Sequence, residues 1–170
     1  KQCFLLYFDT LRVYPEIMKN KKYSGFIGIA GEYFVAAEIS KRGGIATITS
    51  KNTPDIDILA SSADGKKTVS IQVKTGRLTT GGFIVGKEEM RLFGPNIFYV
   101  FVLLKEGAEI GYWIIPQPIV AQTTESDYQN WIKGRGDKSK KAPRTLRWTH
   151  LQSEDYKKKY YNNWSILGLW

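Results

Sequence analysis

Two short runs of strict alternation, DIDILA and VSIQVKT, joined by SSADGKK, constrain this chain more than any other stretch. In the first, Asp55 and Asp57 alternate with Ile56 and Ile58, so an extended backbone directs both carboxylates to one face and both isoleucines to the other. In the second, Gln72 and Lys74 share a face opposite Ile71 and Val73. The dipeptide Asp64-Gly65 between them is a strong hairpin signal, which predicts antiparallel neighbours. Carboxylates, an amide oxygen and an ammonium group then meet on one side of a small sheet. Such oxygen donors suit a hard cation of the Mg²⁺ type, and a lysine beside them can activate a water or offset negative charge.

Other metal chemistries are excluded by residue counts. With one cysteine, Cys3, and one histidine, His150, the chain has no internal disulfide and none of the usual zinc ligand sets. Any metal must therefore be held by oxygen. The 170 residues, 42% hydrophobic, are enough for one well-buried core and few for two, so a single domain is expected over 1–170. It divides into an extension (1–23), a core (24–120) and a basic, aromatic segment (121–170). No apolar run approaches the roughly 20 residues that span a bilayer. No signal peptide with a cleavage site is visible, which predicts a cytoplasmic protein without membrane contact. The formal charge of +9 points to a polyanion, DNA or RNA by default.

Ahead of the hairpin, SGFIGIAGEYFVAAEISKRGG reads as a helix with Ser24 as N-cap, ending near Lys41 at Gly43-Gly44. It carries Glu32 among small neighbours. IATITS is expected to be the first strand of the sheet, leading through a turn that contains Lys51 and Pro54. With Glu32, Asp57 and Gln72-Val73-Lys74 in this order, the chain resembles the PD-(D/E)XK nuclease superfamily, and more closely its Mrr-like members with a QxK triplet. The resemblance covers roughly the first half of the chain. It implies an α/β fold with a restriction-endonuclease-like core, a central mixed β-sheet flanked by helices. It also implies a metal-dependent endonuclease acting on DNA. Glu32, Asp57, Gln72 and the Val73 carbonyl would hold Mg²⁺ or Mn²⁺, Lys74 would orient the attacking water, and Asp57 is preferred over Asp55 because a short apolar run follows it directly. A homodimer is a further implication, since a duplex has two strands to cut.

Downstream, GRLTTGGFIVGKEEMRLF departs from the family's simplest pattern. Its glycines favour a hairpin or loop over a long crossover helix, with KEEMRLF able to make a short helix. NIFYVFVLL and GYWIIP read as two further strands, the first covered on both faces, and IVAQTTESDYQNWI as a helix. KGRGDKSKKAPRTLRW reads as a basic loop in which Lys138, Lys140, Lys141 and Arg144 would meet phosphates, as would Lys51 and Arg77. Trp131, Trp148 and Tyr156 are interleaved with these charges, where they can stack on unpaired bases or belong to the core. Two alternatives stand beside the nuclease: an inactive nucleic-acid-binding module on the same fold, and a structural or oligomeric interaction protein.

Overall fold

A computed structural model describes residues 24–50, 53, 55–77, 81–86, 94–105, 108–134 and 144–170. Helix α1 (Ser24–Lys41) begins at the expected serine, which is its first helical residue. It ends where predicted: Gly43 takes φ +87°, its N–H donates to Ser40 O, and the Gly44 N–H reaches back to Ile39 O at 3.1 Å. That pair of bonds satisfies carbonyls the last turn would leave open, in a conformation that disfavours residues with a Cβ.

The sheet follows from the alternation in the sequence. Strands β1 (Ile45–Ile48), β2 (Ile58–Ser61) and β3 (Thr68–Gly76) form an antiparallel meander. The β2–β3 hairpin turns at Gly65, φ +71°, and Asp64 Oδ1 accepts from Ser62 Oγ and from the Lys66 N–H. β5 (Ile97–Leu103) lies parallel to β3, and β6 (Gly111–Pro116) pairs antiparallel to β5, giving the order β1-β2-β3-β5-β6. The result is an α/β fold with a five-stranded mixed sheet packed against helices. β5 is an internal strand and nearly all of it is buried, as its unbroken apolar run requires.

Each sheet face has its own core. On one side Val35 and Ile39 of α1 pack with Ile58, Ile71, Val73, Val100 and Ile114, joined by Trp164, Leu167 and Leu169 from the C-terminal end. Side chains of this kind stabilise by about 1.5–3 kcal/mol each when fully buried. On the other side Tyr99, Phe101, Trp113 and Ile115 are covered by Phe83, Val85, Val120, Leu146 and Leu151. The cover is built from β4 (Gly82–Gly86), α2 (Gln117–Lys133), β7 (Arg144–Arg147) and α3 (Trp148–Gln152), with α4 (Glu154–Tyr160) following.

Two segments differ from expectation. GGFIVG is a strand, β4, and RTLR, expected within the basic loop, is β7; the two pair as a separate antiparallel sheet. Their burial explains it: Phe83, Val85 and Leu146 need the cover of the second core, and pairing satisfies the backbone groups that accompany them inward. The KEEMRLF helix lies outside the described residues. Among the described residues no helix is long and apolar enough to cross a membrane.

Candidate active site

The site forms where β2 and β3 part. Their last paired positions are Ile58 and Ile71, so Asp57 and Gln72 stand just beyond the ladder and Val73 one residue further. The Asp57 N–H donates to Ile71 O at 2.9 Å, one position out of register with the pairing that precedes it. The Val73 N–H therefore meets no β2 carbonyl; it donates to Asp57 Oδ2 at 2.7 Å. A carboxylate thus replaces the backbone acceptor at the fork. The Asp57 peptide is fixed from the other side by Thr49, whose N–H donates to Asp57 O at 2.9 Å and whose Oγ1 donates to Ile56 O at 2.5 Å.

This arrangement corrects one expectation. Asp55 and Asp57 precede β2 and do not share its alternation, and Asp55 sits in a turn at φ +59°, a left-handed conformation that aspartate tolerates better than most residues. They remain close enough to interact. Burial pushes the Asp57 carboxyl above the ordinary value of 3.8; the Val73 N–H and the Lys74 charge act against that rise, and Asp55 adds to it.

Gln72 and Lys74 lie on the face opposite α1, half-buried, in register with Tyr99 and Phe101 of β5. Tyr99 is the residue that the sequence reading missed. Buried at 5% exposure, its phenol is pushed up to about 12 by desolvation and then by the charges of Asp55 and Asp57, so it stays protonated and can donate. Only its place in an apolar run hid it. Lys74 and Asp55 act electrostatically on Asp57, both aspartates act on Tyr99, and Gln72 is the cross-strand partner of Tyr99.

Glu32 stands on the α1 side of the fork. It follows Gly31, which is packed so closely on Thr75 of β3 that a Cβ there would fall 1.9 Å from Thr75 Oγ1. Glu32 is thereby held near the C-terminal end of β3, while the charges acting on Asp57 are those of Lys74 and Asp55. Among the described residues no three His, Cys, Asp or Glu side chains gather as a metal cage. Any cation at the fork would rely on amide and backbone oxygens beside Asp57.

Of the expected phosphate-binding residues, Lys51, Lys138, Lys140 and Lys141 lie outside the described residues. Arg77 directly follows β3, and its Nη1 is buried without a hydrogen-bond partner. Arg144 is committed within the fold: its Nε and Nη2 donate to Glu125 Oε2 at 3.1 and 2.9 Å, and its guanidinium lies 3.6 Å from the Tyr128 ring centroid. Its charge is already matched. Arg144→Gln is expected to leave the log-log salt slope of DNA binding unchanged, whereas neutralising Lys138, Lys140 and Lys141 together should flatten it by about one unit per lost phosphate contact. Binding isotherms at several salt concentrations measure both.

No protein-family model, curated protein or solved structure matches this chain.

A buried charge that the fold does not fully compensate has a cost. Because the Asp57 carboxyl binds its proton more tightly in the folded state, its ionisation destabilises the fold, fully above the raised value and not at all well below 3.8. Asp57→Asn keeps an oxygen for the Val73 N–H. It should raise Tm at pH 7, with the advantage over the parent vanishing as pH falls below about 4. Thermal melts at the two pH values provide the check.

Proposed function

We propose that the protein is a metal-dependent endodeoxyribonuclease with a restriction-endonuclease-like core of the PD-(D/E)XK type, in the QxK form. The observation that supports this best is the fork itself: a desolvated carboxylate on the Val73 N–H, with Gln72 and Lys74 flanking that residue on one face. The donor set of Asp57 carboxylate, Gln72 Oε1 and Val73 carbonyl is all oxygen, which suits Mg²⁺ or Mn²⁺, and Glu32 of α1 would be its second carboxylate. A bound divalent cation supplies a water of lowered pKa and offsets charge on the scissile phosphate.

The chain's own groups divide the remaining tasks. Asp57, held by Val73 and by Thr49 through its peptide, presents its second oxygen at a fixed position. Lys74 places an ammonium group beside it to orient the nucleophile or steady the developing negative charge. Tyr99, kept protonated, can donate to a phosphate oxygen at the same face.

Metal binding is the direct test. Mn²⁺ titration followed by electron paramagnetic resonance should show occupancy by the parent protein that weakens at least tenfold in Asp57→Asn. Equal affinity in both proteins would remove Asp57 from the site. DNA retention without any Mn²⁺ binding would favour the inactive nucleic-acid-binding module.

A further inference from the structure

We infer that a second site, an aromatic cavity at the far end of the same sheet face, takes an unpaired nucleobase, so that the preferred DNA is frayed or branched. The inference rests on the nuclease reading above and specifies its substrate. The cavity measures about 480 Å³, within the about 300 to 1,000 Å³ of small-ligand pockets. Gly111 and Trp113 line its β6 side, Trp148 and Tyr161 line it from the C-terminal segments, and Lys105 and Lys157 stand on its rim.

Its walls are tied into the fold. The Trp113 Nε1–H donates to Leu151 O at 3.0 Å, and Trp148 and Tyr161 pack against the Trp113 ring at 5.4 and 4.9 Å between centroids. Tyr161 is held by a β-bridge to Trp113 and by the Asn162 N–H to Tyr112 O bond at 2.8 Å. It is nevertheless 42% exposed, so a large part of its surface remains open. Gly111 contributes to the space: a Cβ there would lie 3.2 Å from the Trp113 ring and 3.3 Å from that of Tyr161.

Chemistry and position select the occupant. The open Tyr161 ring favours a flat partner, and two lysines against the single acidic Glu109 favour an anionic attachment to that partner. A nucleotide combines the two, and the chain's charge of +9 favours one carried by a nucleic acid. Lys74 lies two residues from the end of β3, and Leu103 and Lys105, at and just past the end of β5, line the cavity. The C-terminal ends of β3 and β5 also open at the same end of the sheet, because the strands are parallel. A strand with a phosphate at Lys74 can thus deliver a neighbouring base to the cavity, provided that base has no partner.

The test uses two DNAs in EDTA, a flush-ended duplex and the same duplex carrying a flap with one unpaired 2-aminopurine. The parent should prefer the flap by about 5- to 100-fold, with quenched 2-aminopurine emission, as stacking on one aromatic residue provides. Tyr161→Ala should bring the ratio close to one and restore emission, Tyr161→Phe should keep both, and Lys157→Glu, on the surface, should lower the ratio at least threefold. Equal affinity of the parent for both DNAs would overturn the inference, as would a ratio that survives both Tyr161→Ala and Lys157→Glu. A parent that prefers and quenches the flap yet never cuts it with Mg²⁺ would overturn the nuclease reading alone. One that cuts both DNAs equally without quenching would overturn the cavity alone.

Discussion

Lys74→Ala is expected to lower metal-dependent cleavage by about 10² to 10⁴-fold while leaving the fold and most DNA affinity in place. Lys74 is one of 25 lysines and arginines, so its loss barely changes the long-range field that draws DNA to the protein. Its local effect is different. It is the cation acting on Asp57, and it stands two residues from Gln72 on the same strand face. Removing it deletes the group that orients the nucleophile or steadies the phosphate, whereas non-specific affinity should change by well under tenfold. Single-turnover cleavage under saturating Mg²⁺, with anisotropy titrations alongside, separates the two effects. Parent-like cleavage would rule out the assigned role.

The second large effect concerns how α1 is seated. Gly31→Ala should destabilise the protein although alanine is the better helix former by about 1 kcal/mol. The new methyl would fall 1.9 Å from Thr75 Oγ1 and 3.0 Å from both Thr75 Cβ and Cγ2, and the Cβ contact stays tight in every rotamer of this stiff β-branched side chain. Overpacking of this kind costs about 1–3 kcal/mol, and the severity of the overlap places Gly31→Ala near the upper end. Thr75→Ala in the same chain removes the Oγ1 and Cγ2 contacts and gives up no hydrogen bond, since Thr75 Oγ1 has no partner. About half of the lost stability should return. Denaturant melts of the two single variants and the double variant form the cycle, and additive effects would show that the contact is not limiting.

Much of the fold was legible because it depends on local chemistry. Asp64-Gly65 dictates a tight turn, Gly43-Gly44 a helix end, and the alternation of VSIQVKT a half-buried strand. What escaped depends on partners distant in sequence. RTLR gives little reason to be a strand until β4 offers it an edge and the second core draws Leu146 inward. The alternation of DIDILA continues back to Asp55, yet the backbone does not, because Thr49 holds the Ile56 and Asp57 carbonyls and Asp55 turns through positive φ. Of the candidate site, Asp57, Gln72 and Lys74 were readable from residue types and spacing. Tyr99 was not: a phenol within IFYVFVL reads as core until the parallel register sets it opposite Gln72.

The most direct measurement of the central claim is cleavage of supercoiled plasmid and of flapped duplex DNA by the parent and by Asp57→Asn, with Mg²⁺ and with EDTA. Strand breaks should appear with the parent only when Mg²⁺ is present and fall at least 10²-fold in the folded Asp57→Asn protein. A parent that leaves every DNA intact with Mg²⁺ or Mn²⁺, or an Asp57→Asn variant that cuts as fast as the parent, would contradict it.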